Sequence, residues 1–189
     1  MPLDANQYAN RAAREARQGK SESESRIYLD RAALLIPKAQ QSFSMAIAND
    51  PARRGRMRTQ FTDEGQDVIT LDQGTKTIAD IFGNKQLLVS ALKWAVAFDG
   101  DDTDHKYPLI WMPESTAIFG HTNGNYGRFT VFDDRILTKK KGGGLTDMQS
   151  LTLYANYIWN FTEDFPLPAE FENEAITELA SLLLTDAAS

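Results

Sequence analysis

One segment near the end of the chain constrains the fold most strongly. From Ser150 to Phe161, apolar side chains alternate with mostly polar ones. The apolar members of one parity are Leu151, Leu153, Ala155, Tyr157, Trp159 and Phe161. Successive side chains of a strand point to opposite faces, so the alternation indicates one apolar face. The segment therefore predicts a β-strand in which Trp159 is buried and Asn160 tolerates substitution.

The flanking residues predict a hairpin before this strand and a helix after it. Asp133 and Asp134 tolerate tight-turn backbone geometry and separate two strand-like segments, Arg128–Asp133 and Arg135–Thr138. Two prolines, Pro166 and Pro168, interrupt the sheet. From about Ala169 a helical stripe follows, formed by Phe171, Ala175, Ile176, Leu179, Leu182 and Leu183. The pattern predicts an α+β fold, in which a carboxy-terminal helix packs with a small antiparallel β-sheet.

The first fifty residues predict helices. Asp4–Gln18 favours helix but has only a weak apolar stripe, so we expect this helix to depend on a partner. Ser21 and Glu24 have the spacing of a capping box, which predicts the start of a second helix. Pro37 is expected to end or kink it, which would leave two helical pieces, and Asn49–Pro51 is expected to stop the second piece.

Two segments in the middle of the chain predict strands. Thr59–Leu71 is typical of a hairpin that turns at Asp63–Gln66, and Val68–Leu71 is the favoured strand of the two. Lys85–Phe98 fits two periods, because its apolar residues alternate as in a strand and also recur as in a helix. We favour a strand for Lys85–Phe98.

Composition limits the possible functions. A chain of 189 residues that are 42% hydrophobic suits one domain, and we expect an amino-terminal helical arm over residues 1–20 and a domain over residues 21–189. The absence of cysteine excludes disulfides, thiol catalysis and thiolate metal sites. A net charge of −6 disfavours general nucleic-acid binding. No signal-peptide pattern or long apolar run is present, so the sequence predicts a soluble protein without a membrane segment.

The sequence contains no recognisable catalytic motif, so we expect a protein that is not an enzyme and has no cofactor or metal. His105 and His121 are isolated in predicted loops, where surface positions are commoner than metal sites. Asp99–Asp104 is rich in carboxylates, but it lacks the glycine and glutamate spacing of a calcium loop. A solvated turn is therefore favoured over a cation site there.

Two basic segments are candidate interfaces. The first, called here the arginine segment, contains Arg53, Arg54, Arg56 and Arg58. It could contact phosphate or complement a helix end, but the planar guanidinium suits bidentate pairing with carboxylates of another protein. The second, called the lysine–glycine segment, contains Lys139, Lys140, Lys141, Gly142, Gly143 and Gly144. Its glycines make it costly to order, so we expect it to project from the sheet towards a partner.

The order of these segments resembles a family of bacteriophage proteins. The order begins with amino-terminal helices and continues with strands at Val68–Leu71 and Lys85–Phe98. It then has the YGRFTVFDDRIL hairpin at 126–137, the LTLYANY strand at 151–157 and the PLPAEF helix start at 166–171. Over about residues 25–184 the chain is similar to head-to-tail adaptor (connector) proteins of tailed phages, of the tail tubular A type. The chain ends soon after the final helix, so no long portal-docking arm is expected there.

This resemblance implies a structural protein of the virion neck, made in the host cytoplasm. It implies a ring, commonly a dodecamer, that joins the portal protein to a tail or nozzle protein. Genome DNA would pass through the lumen without sequence-specific binding. The arginine segment would then pair with the portal or a neighbouring subunit, and the lysine–glycine segment would contact the tail component.

The alternative is a small soluble module that binds a ligand or protein on an aromatic-lined sheet face. Candidate lining residues are Trp94, Trp111, Tyr126, Tyr154 and Trp159. Aromatic residues at strand spacing more often belong to a core or a subunit interface, which favours the adaptor.

Overall fold

A computed structural model describes residues 4–17, 22–81, 85–104, 107–113, 126–142, 147–159 and 168–187. The chain divides into two compact units: unit 1 comprises Met1–Ile47 with Ile158–Ser189, and unit 2 comprises Ala48–Tyr157. The division expected at residue 20 falls between two helices of unit 1. The predicted α+β class is confirmed, since helices and a β-sheet both form.

Three α-helices are present in the described residues. They are α1 (Ala5–Ala16), α2 (Glu22–Asn49) and α3 (Glu172–Ala187), and a 3-10 turn at Ala169–Phe171 leads into α3. Helix α1 begins with a capping box: Asp4 Oδ1 accepts from Gln7 N at 2.7 Å, and Gln7 Oε1 accepts from Asp4 N at 3.2 Å. These two bonds satisfy amide groups that the first helical turn leaves without partners.

Helix α1 packs against α3 of the same chain, whereas the sequence suggested that it would pack on another subunit or on the portal protein. Its alanines Ala9, Ala12, Ala13 and Ala16 are buried. Small side chains allow a close approach of two helices, which a count of hydrophobic residues does not reveal. The Tyr8 hydroxyl donates to the Ala175 carbonyl at 2.8 Å, and burial raises the pKa of the Tyr8 phenol. Tyr8 therefore joins the first helix to the last.

Helix α2 runs without interruption through Pro37, so the expectation of two helical pieces is wrong. Proline removes one helical hydrogen bond, but Ala33 and Pro37 are both exposed, where water can serve the carbonyl that proline leaves open. The opposite face is buried, and the Phe43 ring packs edge-on against Phe171, with centroids 6.0 Å apart. The predicted start near Ser21 and the stop after Asn49 are confirmed, although Ser21 itself lies outside the described residues.

The described residues form one nine-stranded sheet. Its strands are β1 (Arg58–Phe61), β2 (Ile69–Thr70), β3 (Thr75–Thr77), β4 (Gln86–Leu87), β5 (Val96–Asp99), β6 (Pro108–Trp111), β7 (Arg128–Phe132), β8 (Arg135–Lys139) and β9 (Ser150–Ile158). The strand order is β1-β9-β5-β6-β7-β8-β3, and β2 and β4 also pair with β9. Strands β6 and β7 are parallel, so the sheet is mixed and larger than the small antiparallel sheet predicted.

Strand β9 confirms the prediction drawn from the alternating segment. Leu151, Leu153, Ala155 and Tyr157 are buried as expected. Thr152 and Asn156, on the opposite parity, are buried as well. Both faces of β9 are therefore covered, although the sequence predicts only one buried face. Asn160 and Phe161 lie outside the described residues.

The predicted hairpin is confirmed as β7 and β8, which pair antiparallel from Arg128 with Lys139 to Phe132 with Arg135. Asp133 and Asp134 form the two-residue turn with φ angles of 49° and 70°. Positive φ at both positions matches the turn that suits the twist of a hairpin, and Asp tolerates it.

Two of the predicted strand segments are corrected. Thr59–Leu71 is not a hairpin, because β1 and β2 both pair with β9 on the edge opposite β5. Lys85–Phe98 is not one strand: β4 is followed by a 3-10 helix, Val89–Trp94, and then by β5. The helical and strand periods in this segment belong to different parts of it. Among the described residues, no helix is long and apolar enough to cross a membrane.

Candidate functional site

Two members of the arginine segment, Arg54 and Arg58, contact Trp94 in unit 2. The Arg54 Cζ atom lies 3.9 Å from the centroid of the Trp94 ring, and Arg58 donates from Nη2 to the Trp94 carbonyl at 2.7 Å. The Lys93 ammonium lies 5.3 Å from the same ring centroid. Trp94 Nε1 donates to Asn49 Oδ1 at 3.5 Å. Arg54 and Arg58 are thus held by contacts with Trp94.

The local backbone explains this arrangement. A 3-10 helix, Arg54–Met57, leads directly into β1, whose Arg58 is the cross-strand partner of Asn156 on β9. The buried Asn156 amide donates from Nδ2 to the carbonyls of Arg54 and Met57, at 2.8 and 3.2 Å. Met57 is fully buried and anchors the turn in the core. Asn156 therefore fixes the backbone that presents both arginines.

The other two arginines, Arg53 and Arg56, have different surroundings. Arg53 Nε lies 4.0 Å from Asp50 Oδ2, at the outer limit of an ion pair. Arg56 is exposed. Sequence reasoning identified the arginines but missed Lys93, Trp94 and Asn156 as parts of this cluster. Only the pairing of β1 with β9 and the 3-10 helix at 89–94 bring these residues together, and no sequence spacing signals it.

Arg54 and Arg56 are therefore expected to respond differently to the same substitution. Arg54→Glu removes the cation–π contact and places a carboxylate on the Trp94 ring, so it should lower the free energy of unfolding by about 1–2 kcal/mol. Arg56→Glu, on an exposed side chain, should change it by less than about 0.5 kcal/mol. Urea denaturation of both variants measures the difference, and equal losses would contradict the Arg54–Trp94 contact.

The lysine–glycine segment lies against the turn after β5. Lys140 Nζ is 2.9 Å from Asp99 Oδ2, and Lys141 Nζ is 4.7 Å from the centroid of the Tyr107 ring. The hydrogen bond and charge of Asp99 raise the pKa of Lys140. Gly142 has a φ of +69°, which glycine adopts without strain. These two lysines contact their own sheet, contrary to the expectation that the segment projects; Gly143 and Gly144 lie outside the described residues.

A cavity of about 380 Å³ opens where this segment meets the turn after β5. Its polar lining comprises Asp99, Asp101, Asp102, Lys140 and Lys141, and its other lining residues include Tyr107, Leu109 and Met148. Gly127 also lines it, and a Cβ atom there would lie 2.3 Å from Leu109 Cδ2 and 3.1 Å from the Lys139 carbonyl. Glycine at position 127 thus leaves room for the Leu109 side chain of β6 and for the backbone at the end of β8. The size and mixed polarity of the cavity would suit a small polar ligand or a partner's side chain.

The carboxylates of the cavity are already held by the chain. Asp99 Oδ1 accepts from Asp101 N at 3.2 Å, and Asp101 Oδ1 accepts from the Ser150 hydroxyl at 2.8 Å. Asp102 Oδ2 accepts from Tyr107 N at 3.2 Å. The described residues contain no group of three or more acidic or histidine side chains that could hold a metal ion. His105 and His121 lie outside the described residues. The acidic residues act as turn-forming acceptors.

The five aromatic candidates for a ligand-binding sheet face have different surroundings. Trp159 has no exposed surface and packs edge-on against Tyr8 in unit 1, with ring centroids 5.4 Å apart. In unit 2, the Arg54 guanidinium lies over the Trp94 ring, and Trp111 packs against Phe129 with ring centroids 5.3 Å apart. Tyr154 is half-buried, whereas Tyr126 is exposed. Trp159 is therefore a core residue and not part of a ligand surface.

Comparisons with protein-family models, with curated proteins and with solved structures give no significant match.

Proposed function

We propose that this protein is a structural head-to-tail adaptor of a tailed-bacteriophage virion. In this role it forms a ring, commonly a dodecamer in the family that it resembles, between the portal protein and a tail or nozzle protein. Genome DNA passes through the lumen without sequence-specific binding. The protein is made in the host cytoplasm, resides in the virion neck, performs no catalysis and contacts no membrane.

The observation that carries this proposal is the order of the elements. Two helices precede the sheet, the β7–β8 hairpin precedes the long strand β9, and α3 follows the proline-rich segment. These are the same segments on which the resemblance rests. The described helices form, the hairpin has a two-residue turn, and β9 pairs with four other strands, whereas Lys85–Phe98 is divided between β4, a 3-10 helix and β5. The helices, the hairpin and β9 are the elements that support the proposal.

The charge of the chain is compatible with this role. Each subunit carries a net charge of −6, and repetition around a closed axis multiplies that charge. An acidic lumen repels phosphates and lets DNA slide, whereas a basic lumen would hold DNA through counterion release. Arg54 and Arg58 are half-buried on Trp94, a position that suits a protein contact better than a sliding contact with DNA.

Mass measurement tests the proposal directly. Native mass spectrometry and light scattering of the purified chain, alone and mixed with the portal protein encoded near it, should reveal a ring or a complex with the portal. A monomer under both conditions would refute the adaptor role. The gene neighbourhood offers an independent test, because an adaptor gene is expected among portal, capsid and tail genes.

The lysine–glycine segment should matter for tail attachment and not for folding. Deletion of Lys140–Gly143 removes the Lys140–Asp99 pair, which is exposed on the lysine side and so contributes little to stability. We expect the variant to fold and form rings while particles fail to join tails. Electron microscopy of mutant particles measures attachment, and normal tails on those particles would contradict this assignment.

The cavity favours a second candidate function, a small module that binds a polar ligand. In that case a ligand should raise the melting temperature of a monomeric chain. Asp101→Asn should weaken the effect, since Asp101 lines the cavity. A monomer that gains stability with a small ligand would support this function over the adaptor.

A further inference from the structure

We propose that Arg54, Arg58 and Lys93 form a carboxylate-binding site on Trp94, and that its ligand is an aspartate or glutamate side chain of a second copy of this chain. The identity of the partner rests on the proposed ring. The chemistry of the site rests only on the contacts within unit 2.

The site is pre-organised by contacts that hold each cation. Stacking at 3.9 Å from the Trp94 centroid holds the Arg54 guanidinium on the ring. The bond from Arg58 Nη2 to the Trp94 carbonyl fixes the second guanidinium, and Asn156 holds the backbone between them. A planar guanidinium held in this way loses little conformational freedom when it receives a carboxylate.

The positive charge of the site is not neutralised by the described residues. Neither guanidinium has a carboxylate oxygen within the 4.0 Å of an ion pair among the residues that the structure describes. The Nε atoms of Arg54 and Arg58 are buried without an acceptor in this part of the chain. Arg54 and Lys93 both lie near the Trp94 ring, so these two cations repel each other, and the half-buried position of Arg54 strengthens that repulsion. An anion that accepts from their outer nitrogens would remove it.

A carboxylate fits this site better than a phosphate of DNA. The chain has 26 acidic and 20 basic side chains, so its overall field repels DNA and leaves a surplus of carboxylates. In a closed ring, each copy presents one surface to the next copy's different surface. A basic site on one surface is therefore complemented by an acidic side chain from the neighbouring copy, and the guanidinium fork accepts such a group in a bidentate manner.

The first experiment tests the chemistry of the site without assembly. A hexaglutamate peptide is titrated into the dilute chain while the Trp94 indole N–H resonance is followed by NMR, with Trp94→Phe as the assignment standard. We expect a saturable shift that weakens as salt is added. The double variant Arg54→Lys, Arg58→Lys keeps both charges but loses the fork, and should lower the affinity about tenfold.

Arg14→Lys is the matched control, because it makes the same change on an exposed arginine of helix α1, outside the arginine segment. It should alter the affinity by less than about twofold. If the control and the double variant lower the affinity for the peptide equally, the peptide is held only by diffuse electrostatic attraction, and the specific site is overturned. If duplex DNA binds more tightly than the peptide at the same salt concentration, the ligand of the site is a phosphate, and the carboxylate site is overturned. The shift of Trp94 in the wild-type chain provides a result even if the double variant fails to fold.

The second experiment tests the partner. Sedimentation of the double variant should show loss of rings at concentrations where the wild type and Arg14→Lys assemble. Rings of the double variant that are as stable as the wild type would overturn the second copy as the ligand while leaving the adaptor function intact. If the wild type assembles neither alone nor with the portal protein, both the adaptor function and the second copy as ligand fail, and the peptide titration decides only the chemistry of the site.

Discussion

Trp159→Ala should lower the free energy of unfolding by about 3–5 kcal/mol, the cost of truncating a fully buried tryptophan. Trp159 has no exposed surface, and its ring meets Tyr8 edge-on, a geometry that adds to the energy of burial. Truncation therefore removes apolar burial and also the partner of a tyrosine that joins α1 to α3. Urea denaturation followed by circular dichroism measures this loss.

Phe132→Ala is the control for this prediction. Phe132 is an aromatic residue of the β7–β8 hairpin, but 55% of its surface is exposed. Its truncation should cost less than about 1 kcal/mol, because little apolar surface returns to water. Similar losses of unfolding free energy in the Phe132 and Trp159 variants would show that Trp159 is not buried in the core.

Gly100→Ala should lower the free energy of unfolding by about 1–3 kcal/mol, the usual cost of overpacking. A Cβ atom at this position would lie 2.4 Å from Ser150 Oγ and 2.8 Å from the carbonyl carbon of Ser150. The second contact is with backbone, so a side-chain rotation cannot relieve it. Gly100 N also donates to the Ser150 carbonyl at 2.9 Å, which ties this turn to β9.

Gly55→Ala provides the matched control. No atom lies within 4 Å of a Cβ atom built at Gly55, and its φ is not in the left-handed region. The change should be neutral or slightly stabilising, because alanine restricts the unfolded chain. Thermal unfolding of both variants compares them, and a neutral Gly100→Ala would refute the close contact with Ser150. Gly100→Ala should also disturb the cavity, because Asp99 and Asp101, which line it, flank Gly100.

The elements that the sequence predicted well are those whose signals are local. The period of two residues in β9 and the Asp133–Asp134 turn depend only on neighbouring residues, and both are confirmed. The partners of β1 and β2 depend on residues far along the chain, so the hairpin predicted at Thr59–Leu71 is wrong. Pro37 shows a third case, in which an exposed helix position tolerates a residue that usually ends a helix.

The candidate site was predictable only in part for the same reason. The arginines stand out in the sequence because they are dense in an acidic chain. Their partner Trp94 lies in Lys85–Phe98, where strand and helix periods overlap, and the assignment of one strand there concealed the 3-10 helix that presents it. The buried Asn156 gives no signal at all, since its parity in β9 suggests a tolerant position. Distance along the chain, and not chemistry, limited the prediction.

The position of β9 has a consequence for synthesis on the ribosome. β1, β2, β4 and β5 all pair with β9, yet all four are translated before it. Their unpaired edges must wait until residues 150–158 leave the exit tunnel, and exposed edges during that interval favour association between nascent chains. Helix α1 waits even longer for α3. The speed of translation through β9 and α3 should therefore govern the yield of soluble protein, and a pause before β9 should reduce it.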